Sequence, residues 1–229
     1  MSTFSGFPAG ALEFLHELSA NNNRDWFNDN KKRYESDVRE PALAFIEAMK
    51  KPMNAFSECF DVTAKKTGGS LMRIYRDTRF ATDKTPYKTN IGIHFRHRTG
   101  CDVHAPGFYL HIDPKETFLG GGIWHPDTPT LTSIRERIAS DSDVWKKVRD
   151  NRSFRKYFEL AGDELKRPPR GFDKEHPMID DLRRKDFIGV HHFESSDIES
   201  TDFVKQVMTR FKATKALVNF LCESLSIPF

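Results

Sequence analysis

Cysteine is scarce in this chain: Cys59, Cys101 and Cys222 lie far apart and in no C-x-x-C arrangement. That argues against a disulfide framework and for a reducing compartment. No apolar run approaches the ~18 residues of a membrane span. No charged start followed by an apolar stretch marks a secretory leader. The expectation is a cytoplasmic protein with no membrane partner. Nucleotide and hydrolase signatures are missing as well. Neither GxxxxGK[ST] nor GxGxxG occurs, and there is no HExxH, HxH or GxSxG. No cofactor is implied.

What is present is a core-forming composition with one concentrated charge. The 229 residues are 38% hydrophobic and 30% charged, which excludes a disordered chain. Twenty phenylalanines point to an aromatic core. The net charge is only +3, yet nine basic and two acidic residues fall between Lys65 and Arg98, a local charge of +7. The positive field is therefore local.

Periodicity divides the chain into helical ends and a stranded middle. Ala11, Leu12, Phe14, Leu15 and Leu18 recur at helical spacing after Pro8. Asn23 is placed to cap a second helix bearing Trp26, Phe27, Tyr34 and Val38. Pro41 opens a third, which Pro52 interrupts. Residues 71–80, 91–97, 108–113 and 117–124 alternate as strands, the last weakened by three glycines, and residues 187–193 read as a late strand. Helices follow from Thr128, over residues 144–158, and from Thr201 or Asp202 onward, with a loop at residues 167–177. The fold class expected is α+β: a mainly antiparallel sheet with N- and C-terminal helices packed on one face, in a single domain over residues 1–229.

Pairing those strands would gather their polar residues on one side: Arg73, Tyr75, Asp77, His94, Arg96, Tyr109 and His111, with Lys84 and Lys88 on the connecting loop. Guanidinium groups hold phosphate or carboxylate through paired N–H bonds, and lysine adds point charge. Arg73, Arg76, Arg79, Lys84 and Lys88 are the candidate anion-binding residues, and Tyr75, Tyr109 and His111 the candidates for proton transfer. The plain alternative is a solvated sheet face whose charges prevent edge pairing. The glycine run at residues 120–122 is either an anion nest or a bulged strand. His94, His111 and Asp113, with His104 or His125 near them, could converge on a metal, but no ligand motif supports it and none is assigned. Cys101 beside His104 reads as an ordinary thiol ahead of a nucleophile.

Several stretches resemble one family. FLHELSANNNRDWFNDNKKRYE (14–35), SLMRIYRDTRFATDKTPYKTNIG (70–92), APGFYLHIDP (105–114), FLGGGIWHPD (118–127) and LTSIRERI (131–138) are similar to the domain-of-unknown-function 2461 family, as are FIGVHHF (187–193) and DFVKQVMTRFKATKALVNFL (202–221). The resemblance implies one domain along the chain and a signature that includes Arg73, Arg76, Asp77, Arg79, Lys84, Tyr87 and Lys88. It carries over no catalytic residues, and His94, His97 and His104 fall outside its motifs.

Three functions compete. One is an enzyme or sensor for a small phosphorylated or carboxylated molecule. Another is a nucleic-acid module in which Tyr75, Phe80 and Tyr87 stack bases, or a site for an acidic protein partner. The last is an internal ion network linking the arginines to Asp77 and Asp83.

Overall fold

The computed structural model describes residues 4–100 and 105–229. Five antiparallel strands form one sheet in the order β1-β2-β3-β5-β4. They are β1 (Ile91–Arg96), β2 (Gly107–Ile112), β3 (Thr117–Ile123), β4 (Glu159–Ala161) and β5 (Phe187–Phe193). The N-terminal helices are α1 (Gly10–Ala20), α2 (Arg24–Asp29), the single turn α3 (Lys31–Arg33), a π-helix (Tyr34–Arg39) and α4 (Glu40–Phe56). After β3 come α5 (Thr128–Ser140), α6 (Ser142–Arg149) and α7 (Arg152–Arg155), then α8 (Ile179–Leu182), a 3₁₀ turn (Ser195–Glu199), α9 (Phe203–Ala213) and α10 (Lys215–Ser224).

Alternation along the strands decides which face meets the helices. Ile91, Ile93 and Phe95 of β1, Phe108, Leu110 and Ile112 of β2, and Leu119 and Ile123 of β3 are buried. Helices α4, α9 and α10 pack on that side, against β1 and β3. Phe211 of α9 meets Phe95 and Phe108 at ring distances of 6.1 and 4.9 Å. Trp145 of α6 sits between Phe187 of β5 and Phe220 of α10. This is the aromatic core and the one-sided helix layer that the sequence implied. The same alternation sends His94, Tyr109, His111, Phe118, Val190 and His192 to the opposite face.

Local rules explain most boundaries. Asn23 caps α2, its side-chain oxygen accepting from Trp26 N at 2.9 Å. Asp127 does the same for α5 through Thr130 N. Three expectations are corrected. Pro41 does not open a separate helix: the chain runs on through the π-helix, where Glu40 N donates to Glu35 O, into α4. Pro52 does not end that helix, which continues to Phe56. Phe45, Ile46, Met49 and Met53 are all fully buried, and their burial outweighs the roughly 3 kcal/mol that an internal proline costs. Residues 71–80 do not form a regular strand. Leu71 bridges Ile93 and Tyr75 bridges Tyr87, each singly. Arg76 N donates to Pro86 O, but Pro86 has no N–H to return, so the ladder stops there.

Candidate functional site

The face of the sheet away from the helices is cleared of side-chain bulk at its centre. Across β1, β2 and β3 the register sets His94 opposite Tyr109 and Tyr109 opposite Gly120. It also sets Gly107 opposite Gly122, and Gly122 and Gly120 opposite Ile188 and Val190 of β5. Over this floor lies a cavity of about 580 Å³, inside the usual range for small-molecule sites. Its walls come from Met72, Phe118, Trp124, Ile188 and Val190, with His94, Tyr109, His111 and His192 as the nitrogen- and hydroxyl-bearing groups and Glu116 at the margin. None of the described lining residues belongs to a helix.

The glycines are there for space. A Cβ on Gly107 would stand 2.8 Å from His94 Nε2, and one on Gly120 would stand 2.8 Å from Ile188 Cδ1. Gly92, on the same face, makes room for the Tyr109 hydroxyl, which lies 3.0 Å from where its Cβ would be. Gly121 serves the other face: its Cβ would meet Thr214 Oγ1 at 2.5 Å, at the α9–α10 junction.

Three polar groups of the cavity, His94, Tyr109 and His111, are held uncharged. Burial, aided by the Arg96 charge, pushes the His94 imidazole down to about 4. Burial pushes the Tyr109 phenol up to about 12, against the opposing hydrogen bond from Asn90. Burial lowers His111 too, although Asp113 and Glu116 pull the other way. Arg96 Nε donates to His94 Nδ1 at 3.2 Å. The Tyr109 hydroxyl lies 3.1 Å from His111 Nδ1, with Asn90 Nδ2 at 3.4 Å from the same nitrogen. The His111 ring stacks on Phe118 with centroids 4.7 Å apart.

Of the residues singled out from sequence, Tyr109 and His111 come together here, with His94 beside them. Tyr75 does not join them. It is half-exposed, touches Tyr87, and lines a separate cleft with Arg24, Asn28 and Arg76. None of Arg73, Arg76, Arg79, Lys84 and Lys88 lines the sheet cavity. Arg79 forks onto Asp77 at 3.0 and 2.7 Å, holding that carboxyl down at about 2. Arg76 bonds Asp83 and Thr85, and the Asp83 carboxyl is likewise held at about 2. Lys84 Nζ donates to Thr78 O at 2.9 Å. Arg73 and Lys88 make no ion pair or side-chain hydrogen bond among the described residues, and Lys88 is lowered by burial and then by Arg73.

The glycine run lies inside β3 as cavity floor and helix-packing site, not in a turn. Cys101 and His104 fall outside the described residues. Among the described residues no group of three His, Cys, Asp or Glu side chains is placed to hold a metal ion, and no helix is long and apolar enough to cross a membrane.

Sequence reasoning missed the far wall. Ile188, Val190 and His192 are contributed by β5, and their alternation in FIGVHHF was the signal. It also missed Asp186. This buried carboxylate accepts from His125 N at 2.6 Å and Asp163 N at 2.9 Å, and faces His125 Nδ1 at 3.1 Å. It thereby fixes the loop that carries Trp124, whose ring stacks on His125 at 4.3 Å.

Residues 10–220 match the family model described as a conserved hypothetical protein, DUF2461. The chain belongs to this family. The match runs from the first residue of α1 into α10, so the sheet, the cavity and every helix but the end of α10 lie inside the family's boundaries. No curated protein and no solved structure matches the chain.

Proposed function

We propose that this protein binds a small organic molecule in the cavity on the open face of its sheet. The flat apolar body of the ligand lies over the Gly107–Gly120–Gly122 floor, and its polar edge meets Tyr109, His111 and His94. One observation carries this reading: Gly107, Gly120 and Gly122, the first and last of them directly opposite each other, line the cavity beside His94, Tyr109 and His111.

Gly120→Val tests it. The new Cβ meets the movable end of Ile188 and no main-chain atom within 3.5 Å, and valine favours strands, so the variant is expected to fold. With the neutral naphthalene dye prodan as probe, saturable blue-shifted emission is expected for the native chain. About tenfold weaker binding is expected for Gly120→Val, or about 1.4 kcal/mol, at a melting temperature within a few degrees. Equal affinity for both chains would remove the reading.

A second reading is favoured by a separate observation. Lys88 is part-buried beside Arg73, and neither forms an ion pair with a carboxylate among the described residues, whereas Arg76 and Arg79 do. We propose this pair as the place where a phosphate or carboxylate group would bind. Inorganic phosphate at constant ionic strength should then raise the melting temperature, and Arg73→Ala should abolish the rise. No rise in the native chain removes this reading. Binding of single-stranded oligonucleotides with a log–log salt slope near −0.7 per contact would replace it with nucleic acid. Cys59 and Cys222 are free thiols, which supports a reducing compartment such as the cytoplasm.

A further inference from the structure

We propose that the cavity selects an uncharged, flat ligand that presents a hydrogen-bond acceptor, such as a ring carbonyl or ring nitrogen, to the Nε2–H groups of His94 and His111. This rests on the cavity being the ligand site and goes beyond it by naming the ligand's chemistry.

A neutral imidazole carries one N–H, and the partner of one nitrogen decides which nitrogen bears it. Arg96 Nε has a hydrogen and no lone pair to offer, and it sits 3.2 Å from His94 Nδ1. That nitrogen must accept, so the proton is on Nε2. The guanidinium is permanently charged, so it also opposes a second proton on the same ring. At His111 the amide nitrogen of Asn90, 3.4 Å from Nδ1, again can only donate, so Nδ1 accepts and the Tyr109 hydroxyl, 3.1 Å away, must turn its proton to the same atom. His111 is thereby left with its proton on Nε2 as well. Two neighbouring strands thus use different donors to impose one tautomer on two imidazoles.

Both rings line the cavity, and no described group accepts a hydrogen bond from either Nε2. His94 Nε2 lies directly beside the Gly107 floor. Burial keeps both imidazoles from charging at neutral pH. The cavity therefore offers N–H donors without a formal positive charge, set in apolar walls. A neutral acceptor completes those donors at little desolvation cost. An anion would lose its water without meeting a cation, and it would face Glu116, which is 3.9 Å from His192 on the other side of Phe118. An ammonium group would meet N–H donors head-on.

Three naphthalenes of similar shape test the inference: 2-acetylnaphthalene (a ketone), 2-isopropenylnaphthalene (C=CH₂ in place of C=O) and 2-naphthoate (a carboxylate). Quenching of Trp124, which lines the cavity, reports binding. The native chain should hold the ketone about tenfold more tightly than the hydrocarbon, because a site built around donors rejects the analogue that leaves them unpaired. The carboxylate should bind more weakly than the ketone. His94→Phe should reduce the ketone preference to about threefold or less. Arg96→Met, which removes the group fixing the tautomer and leaves the cavity wall intact, should reduce it partway. Equal binding of ketone and hydrocarbon by the native chain overturns the inference and leaves the cavity reading standing. Tightest binding of 2-naphthoate overturns it in favour of an anion. A preference that survives in both His94→Phe and His111→Phe overturns the assignment of the donors. Failure of all three compounds to bind removes the inference and the cavity reading together.

Discussion

Phe108→Ala should lower the melting temperature by at least 6 °C and up to roughly 20 °C, while Tyr109→Phe, one residue along the same strand, should change it by only a degree or two. Phe108 is fully buried between Phe60 at 4.7 Å, Phe211 at 4.9 Å and Phe56 at 5.8 Å. Deleting a ring from such a seam costs about 3–5 kcal/mol, since the transfer energy is lost and a cavity remains. Nothing nearby can collapse into the gap without moving α9 or the edge of α4. Tyr109 faces the other way, into space the protein already leaves open, and Tyr109→Phe removes only a hydroxyl on that side. Thermal unfolding of the two variants checks the division of labour between the faces. Comparable losses would mean that the open face is structural too.

Gly122→Ala should be nearly as damaging, at about 3 kcal/mol or more, whereas Gly120→Ala should be mild. Gly122 has φ at 140°, a conformation closed to other residues. Its added Cβ would stand 2.1 Å from Phe187 O and 2.8 Å from Ile188 Cα. Both are main-chain atoms of β5, so relief requires separating β3 from β5 near the start of β5. At Gly120 the nearest atom is the tip of Ile188, which rotates away. Urea unfolding of the pair measures the difference. If Gly120→Ala proved the more destabilising, the floor of the cavity would be held by strain that the geometry does not display.

Much of this arrangement was legible in the sequence. Period-two alternation in residues 91–97 and 108–113 placed His94, Tyr109 and His111 on one face before any register was known. Asn23 announced its helix through a side-chain oxygen, a purely local effect. What was not legible has equally physical reasons. Counting charges in residues 70–90 leaves an ion network with Asp77 and Asp83 as one reading among three, because the pairing depends on Asp77 reaching Arg79 and Asp83 reaching Arg76. Proline at 86 limits a ladder only if residue 86 pairs with residue 76, and sequence does not show that pairing. The glycine run looks like a turn or a bulge in isolation. Its role follows from what lies opposite: Tyr109 and Gly107 on one side, Val190 and Ile188 on the other. Three residues of β4 carry no pattern of their own, and they become a strand because β5 offers them an edge.

The central claim is that the open face of the sheet, rather than the cationic hairpin beside it, receives the ligand. Amide chemical-shift mapping of the ¹⁵N-labelled chain against a library of neutral aromatic fragments tests it most directly. The fragments that bind are expected to shift His94, Tyr109 and Gly120 together with the Trp124 indole, and to leave residues 76–85 unmoved. Shifts confined to the hairpin, or scattered over the helical face, would contradict it.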